Sequence, residues 1–394
     1  MTAEQIKKEI EGIFDEVAAM RRHLHMYPEL SNEEQKTMEY ISEKLTEMRI
    51  ENVTNVGGHG VVAVIGNPEK GKTIGIRADI DALPIEEMND FEYKSTVPGV
   101  MHACGHDLHT ATLLGAAKIF KAHEGEMNGA VKLFFQPAEE KGGGAKYMIA
   151  DGYMKNPDVS NMLGYHIVPD KPVGLLEFAR KQSNASSSGV KVRIYGQSAH
   201  GSTPQNGVDA VVVAAQVINN LQTVVSRMVA PTDPAVLTFG TIHGGSKSNI
   251  IADFVELDGT IRTYSLKVRD QIREKASMIV NSTAAASGAR AEITFGDGYP
   301  PIINDPQTVD KMVALAEETL GKDSYVMRDV PTMGGEDFSF FANEVPSCYF
   351  KVGTTDGSSS HRQKLHNEWL APSENAMKNA ILMEVMGAQR LMEE

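Results

Sequence analysis

Two spacings of apolar residues alternate along this chain. One helix is predicted roughly over Glu4 to His25, and a second starts at Ser31. There the Ser31 hydroxyl can cap the helix while Glu34 reaches back, a capping-box pattern, and Met38, Ile41 and Leu45 follow on one face. Short apolar runs come next, Val61 to Ile65 and Thr73 to Ile76, and they predict buried strands. A helix from near Asp107 through Phe120, a strand from Ala130 to Phe135, a helix near Ala145 to Ala150 and a strand from Met162 to Ile167 continue the series. Strands alternating with helices predict an α/β domain with a mainly parallel sheet covered on both faces.

The pattern changes near residue 180. Lys181 to Gly189 is polar and small, and reads as a linker. Beyond it lie a strand (Val190 to Tyr195), a helix (Val208 to Met228), two strands (Val236 to Ile242 and Phe254 to Arg262), a helix (Leu266 to Ala286) and a strand (Ala291 to Phe295). That βαββαβ order is the split unit of a ferredoxin-like α+β domain. A helix near Gln307 to Leu320, a strand at Cys348 to Val352 and a last helix from Glu374 to about Met392 resume the first pattern. The expected organisation is a discontinuous α/β domain, residues 1–180 and 298–394, interrupted by a compact inserted domain at 181–297.

Composition narrows the function classes. A formal net charge of −14 over 394 residues disfavours nucleic acid or an anionic membrane as partner. Two cysteines, Cys104 and Cys348, are too few for a disulfide framework and suit a reducing compartment. The N-terminus is charged and lacks a secretory h-region, and no apolar run approaches the ~18 residues of a membrane span. A cytoplasmic location is expected.

Candidate chemistry clusters in four segments. Met101 to Thr110 holds Cys104 and His106 around Gly105, just before a predicted helix. A thiolate and an imidazole can reach one metal from such a loop, because Gly105 removes a side chain that would crowd the approach. Glu139 and Glu140 follow a buried strand, and in open α/β sheets ligands collect at the carboxyl ends of strands. Adjacent carboxylates point different ways, so one can hold a metal while the other handles a proton. His166 interrupts an apolar strand, and His361 and His366 flank a basic turn, where spacing does not choose between them. The mixture of Cys, His and Glu suits zinc, with manganese, cobalt or nickel also acceptable. A metal pair ~3.5–4 Å apart can polarise a carbonyl and acidify water, and a free carboxylate can then pass the proton to a leaving amine.

Longer motifs carry a resemblance. Arg77-Ala-Asp-Ile-Asp-Ala-Leu-Pro84, His102-Ala-Cys-Gly-His-Asp-Leu-His-Thr110, Phe135-Gln-Pro-Ala-Glu-Glu140 and Gly196-Gln-Ser-Ala-His-Gly201 appear in order, as do Ser248-Asn-Ile-Ile251, Gly259-Thr-Ile-Arg262 and Met333-Gly-Gly-Glu-Asp-Phe338. Nearly the whole chain resembles the hippurate hydrolase, bacterial aminoacylase and auxin-conjugate amidohydrolase family of two-metal metallopeptidases. The resemblance implies a phosphorylase/hydrolase-like fold of the zinc-exopeptidase type and hydrolysis of N-acyl amino acids. It implies that Cys104, His106, Glu140, His166 and His366 hold two divalent ions per subunit, and that Glu139 is the general acid/base. It also implies that the inserted domain mediates dimerisation or higher homo-oligomerisation. His200, Asn249 and Arg262 are then substrate-binding residues, with Arg262 suited to a bidentate carboxylate grip. Asp81 is expected to orient a ligand His. Where more distant relatives place a His ligand this chain has Asp79, and Cys104 takes over as the ligand.

Three further readings compete. A metallo-carboxypeptidase or dipeptidase would use the same site. A cysteine hydrolase would use Cys104 as nucleophile with His106 or His109 as base, but it leaves Glu139, Glu140 and His166 without a role. A non-catalytic binding protein would keep the metals or the acyl amino acid without turnover.

Overall fold

The computed structural model describes residues 1–357 and 364–393. The chain divides into two compact units. The first comprises Met1–Ser183, Ile303–Val330 and Asp337–Glu394, and the second Asn184–Ile302 and Pro331–Glu336.

Helices α1 (Ala3–Met26) and α2 (Gln35–Glu47) precede strands β1 (Asn52–Val56), β2 (Gly60–Gly66) and β3 (Thr73–Asp79). Then come α3 (His106–Ala122), β4 (Ala130–Gln136), α4 (Gly144–Ala150), β5 (Val159–Pro172), β6 (Leu176–Phe178) and β7 (Gln182–Asn184). The second unit contributes β8 (Ser186–Tyr195), α5 (Ala210–Thr223), β9 (Ala235–Gly244), β10 (Phe254–Thr263), α6 (Leu266–Ala286) and β11 (Arg290–Phe295). The chain closes with β12 (Ile302–Ile303), α7 (Pro306–Leu320), β13 (Tyr325–Met327), α8 (Phe338–Glu344), β14 (Ser347–Thr355) and α9 (Ala376–Met392).

The first unit is built on an eight-stranded sheet of order β1-β2-β4-β3-β5-β14-β6-β13. Its centre, β4-β3-β5-β14, is parallel throughout, whereas the β1–β2, β2–β4 and β14–β6 pairs are antiparallel. Every residue of β3 and β4 is buried, as parallel strands covered on both faces require. Neighbours on β5 show the two faces. Leu163 packs beside Gly387 of α9, and Gly164 lies under the Phe338 ring of α8, where a Cβ would come within 2.6 Å of that ring. Because the central strands share one direction, their carboxyl ends gather at one edge of the sheet.

The second unit is an antiparallel sheet of order β11-β8-β10-β9. Val190, Val192 and Ile194 alternate inward from β8 and pack with Val213, Val217 and Leu221 of α5 and Ile272, Ala276 and Val280 of α6. The βαββαβ order and this one-sided helical cover are those of a ferredoxin-like unit. The last turn of the helix expected to reach Met228 is a π turn over Val224–Met228.

Two local expectations fail. Lys181 to Gly189 is largely strand rather than linker, because Ser186 to Gly189 pair in register with Thr260 to Thr263 of β10. The small polar residues suit that ladder: the Ser186 hydroxyl donates to the Thr263 carbonyl at 2.9 Å. Ser31 and Glu34 do not form a capping box either. Helix α2 begins at Gln35 with no side-chain cap from Glu34, and Glu29 instead accepts from the Thr37 N–H at 2.8 Å. Among the described residues no helix is long and apolar enough to cross a membrane.

Helix α9 carries Glu384 into the core, where it is 1% exposed and neither carboxylate oxygen has a hydrogen-bond partner. Burial pushes this acid well above the usual carboxylate range, and Tyr165 of β5 is the ionisable group that feels it. Such an acid is neutral when folded and ionised when unfolded. Stability is therefore full below the unfolded pKa and falls as pH rises from there towards the folded value. Glu384→Leu should stabilise the protein by about 1–3 kcal/mol. The gain should be larger near pH 8 than near pH 5. Thermal melts at both pH values test this, and equal shifts would mean that the acid is not held neutral.

Candidate metal centre

The carboxyl edge of the parallel strands receives the amino end of α3. Gly105 stands just before that helix with φ 82°, and a Cβ there would lie 2.3 Å from Ile167 Cδ1 of β5. The bare glycine thus lets the loop turn while pressed on β5. The approach it spares is that of a strand side chain.

Hydrogen bonds decide which histidine nitrogens remain available. His106 Nδ1 lies 2.9 Å from the Asp81 carbonyl and 3.1 Å from Asp81 Oδ1, so it carries the proton and Nε2 keeps a lone pair. That buried Nε2 has no hydrogen-bond partner. His166 Nδ1 donates to the Ile167 carbonyl at 2.8 Å, which leaves its Nε2 lone pair 3.3 Å from Cys104 Sγ. His109 is different. It accepts from the Ile167 N–H at 3.1 Å and contacts Asp79 Oδ1 at 2.5 Å, so neither nitrogen is left for a metal. His366 is pinned beside the same loop, its N–H on the Ala103 carbonyl at 2.8 Å, with Nε2 3.2 Å from Glu140 Oε1. His361 lies outside the described residues.

Two donor triads result. Cys104, His106 and His166 present atoms within 4.8 Å of one another, and so do Cys104, Glu140 and His366. Cys104 belongs to both. Glu139 joins His106 and Glu140 in a third group of the same span. Glu140 Oε1, which faces His366, also lies 4.0 Å from the partnerless His106 Nε2. Lone pairs left unsatisfied and aimed together are what a cation satisfies, and the S, N and O donors fit a borderline divalent ion.

The supports of these donors were not foreseen in full. Asp81 Oδ2 accepts from the Ser31 hydroxyl at 2.6 Å and from the Glu140 N–H at 3.0 Å, while Oδ1 faces His106. Both Asp81 carboxylate oxygens are thereby engaged. Arg77, wholly buried, donates to Asp79 Oδ2 at 2.7 Å, to Gln136 Oε1 at 2.7 Å and to Asp337 Oδ1 at 2.8 Å. Asp79 is thus gripped by Arg77 and His109, and its Oδ2 is 3.4 Å from His106 Nε2. Ala138, just before the glutamate pair, has φ 55°, a left-handed conformation that costs an alanine about 1–2 kcal/mol. The Ser31/Glu34 spacing was the one available signal for part of this scaffold, and it pointed to the helix instead.

The local field is strongly negative. Burial works against a charged His106, yet Asp79, Asp81 and Glu140 outweigh it and lift its pKa to about 10. Burial, and then Glu140, Glu139 and Asp79, push the Cys104 thiol well above its usual range. A thiol so disfavoured as an anion is a poor nucleophile unless a cation neutralises it, which weighs against the cysteine-hydrolase reading. Burial first, and then His109, hold His166 neutral.

His200, Asn249 and Arg262 lie in the second unit. His200 and Asn249 are neighbours there, with the Gly201 N–H on the Asn249 carbonyl at 2.8 Å. The Ser202 N–H donates to His200 Nδ1 at 3.2 Å, so Nε2 carries the proton and is a donor. Arg262 of β10 is half-buried, and burial lowers its pKa. Among the described residues no carboxylate pairs with it.

Comparison with known proteins agrees with this geometry. The model of peptidase family M20/M25/M40 matches residues 75–385. The chain is 38% identical to the N-acetyl-L-cysteine deacetylase of Bacillus subtilis, over 93% of this chain and 85% of that protein. It is 36% identical to thermostable carboxypeptidase 1 of Saccharolobus solfataricus, over 97% of each chain. The crystal structure of the YXEP protein of Bacillus subtilis, described as a dinuclear metal-binding peptidase of the M20 family, superposes with a TM-score of 0.82 at 32% identity, covering 97% of this chain and 99% of that one. A donor-rich strand edge, a ferredoxin-like second unit and a match over most of the sequence lead to one conclusion: the chain belongs to peptidase family M20/M25/M40.

Proposed function

We propose that this protein hydrolyses the amide bond of N-acyl amino acids, with two divalent ions held by Cys104, His106, Glu140, His166 and His366 and with Glu139 as general acid/base. The observation that carries the reading is Cys104, shared by two donor triads with a second carboxylate beside them. The deacetylase relative supports acyl amino acids as the substrate class.

A metal pair supplies polarisation of the scissile carbonyl and a water acidic enough to attack near neutral pH. Glu139 takes the proton this water sheds and delivers it to the amine nitrogen as the C–N bond breaks. Asp81 fixes His106 in the tautomer that presents Nε2, and it holds the Glu140 backbone. The His200 Nε2–H is suited to the oxyanion, with Asn249 beside it. The Arg262 guanidinium, without an acidic partner, suits the substrate carboxylate.

Placement within the second unit supports a homodimer. The segments carrying His200 and Asn249 run into the Tyr195 and Phe254 ends of β8 and β10, whereas Arg262 lies at the other end of β10. Those ends are about 26 Å apart at roughly 3.3 Å per residue. A compact substrate gripped by Arg262 of one protomer is therefore best met by His200 and Asn249 of another. The exposed edge of β9 offers a place for the copies to pair. Zinc, manganese, cobalt and nickel all suit the donor set. Both cysteines are free thiols, which accords with a cytoplasmic location. A carboxypeptidase among the relatives favours peptides as a second substrate class at the same site.

Glu139→Gln is expected to lower kcat by about 10²- to 10⁴-fold while both ions remain bound. Metal analysis finding an emptied site would reassign Glu139 as a ligand. Binding of N-acyl amino acids without turnover by the metal-loaded wild type would favour the non-catalytic reading. Cys104→Ala should reduce metal content below that of the wild type, and unchanged stoichiometry would exclude Cys104 as a ligand. Sedimentation should show a dimer; a fully active monomer would rule out sharing of His200 and Asn249 between copies.

A further inference from the structure

Glu34 is 0% exposed, and its own helix makes no use of its side chain. Oε1 accepts the Ala138 N–H at 2.8 Å, and buried Oε2 has no hydrogen-bond partner. Ala138 holds the left-handed φ of 55° directly before Glu139. Its carbonyl accepts from the Gly143 and Gly144 N–H groups at 3.0 and 3.3 Å. Two residues beyond Ala138, the Glu140 N–H is held by Asp81 at 3.0 Å. Carboxylates thus grip the backbone on both sides of Glu139, at 138 and at 140.

Burial, reinforced by nearby Asp81, raises Glu34 to about 7 although backbone donors oppose it. A buried acid with one oxygen unsatisfied is unfavourable for folding, and such violations of local rules concentrate where function needs them. Ser31 shows the same diversion: its hydroxyl goes to Asp81 instead of capping α2.

We propose that Glu34 is a positioning residue for Glu139: its carboxyl oxygen holds Ala138 in the backbone conformation that aims the Glu139 side chain. The proposal rests on the reading of Glu139 as proton carrier. Glu34 belongs to none of the candidate donor groups, so its loss is expected to act on kcat through geometry, with little effect on KM.

The test uses the full-length, metal-loaded protein and N-acetyl-L-methionine. Glu34→Leu removes the acceptor, and Glu34→Gln keeps one. The Leu variant is expected to lose about 10- to 100-fold in kcat, with KM within about threefold and metal content unchanged. The Gln variant should recover most of kcat. Adding Ala138→Gly to Glu34→Leu should restore about tenfold, because glycine takes that φ without a Cβ penalty. Hydrogen exchange at the Ala138 amide should quicken in the Leu variant and stay slow in the Gln variant. Wild-type kcat in a folded Leu variant overturns the proposal, as does a loss that neither Gln nor Ala138→Gly repairs. If the Leu variant does not fold, Glu34→Gln decides alone: retained kcat and a protected Ala138 amide support the proposal, and a large loss with metal intact overturns it. An active Glu139→Gln enzyme would instead refute the underlying mechanism, leaving the exchange at Ala138 as a separate reading of the Glu34 bond.

Discussion

One buried guanidinium allows this sheet to end in acids. Arg77 sits inside β3 with no solvent contact, and its three nitrogens reach Asp79, Gln136 and Asp337. Gln136 closes the ring by donating to Asp337 at 2.8 Å. The ends of β3 and β4 and the start of α8 are thereby tied to one fixed fork. Without it, Asp79 and Asp337 would lose the guanidinium that offsets the cost of burying them. With Asp79 neutralised from below, His109 can lock its other oxygen, and His109 in turn accepts the Ile167 N–H of β5. The rigidity of the donor array begins with this bond set.

Around that base the centre is layered by the direction of its protons. Asp81 and the Ile167 carbonyl take the Nδ1 protons of His106 and His166, so both rings turn lone pairs inward. The remaining inward atoms are a thiol and two carboxylates, all acceptors in their ionised forms. Ionised acceptors aimed together repel one another until cations enter. Burial opposes a charged His106, yet Asp79, Asp81 and Glu140 raise it to about 10, which shows that pressure.

Much of this was legible in the sequence because strong apolar periodicity marks its long elements. Helix α6 lies at the bounds expected, Leu266–Ala286, and the strands flanking the site fall where buried apolar runs placed them. Three-residue strands such as β6 and β13 are too short to carry a period and were not anticipated. Lys181 to Gly189 misled for a different reason: serines satisfied by a neighbouring strand have the composition of a linker. At the site, residue types were readable and roles were not. His106 is singled out by its place two residues from Cys104 around Gly105, and the Ile167 amide and Asp79 engage both nitrogens of His109. The choice of His366 came from resemblance, and the structure sets that residue against Glu140.

The pair Ser31 and Glu34 shows why second-layer residues escape sequence reading. A hydroxyl followed three residues later by a carboxylate satisfies the local rule for starting a helix, and local rules see only neighbours in the chain. Here α2 obtains its amino-terminal acceptor from Glu29, six residues before the helix begins. That substitution releases Ser31 and Glu34 to reach Asp81 and Ala138, more than forty positions away in sequence. A helix end is a good platform for such work. Its first residues are held by the helix behind them, so their side chains can be aimed with little freedom left to lose. The turn carrying Glu139 is a loop with a left-handed alanine and has no comparable stiffness of its own. Glu34 at the amino end of α2 and Asp81 just beyond β3 hold its backbone on either side of Glu139.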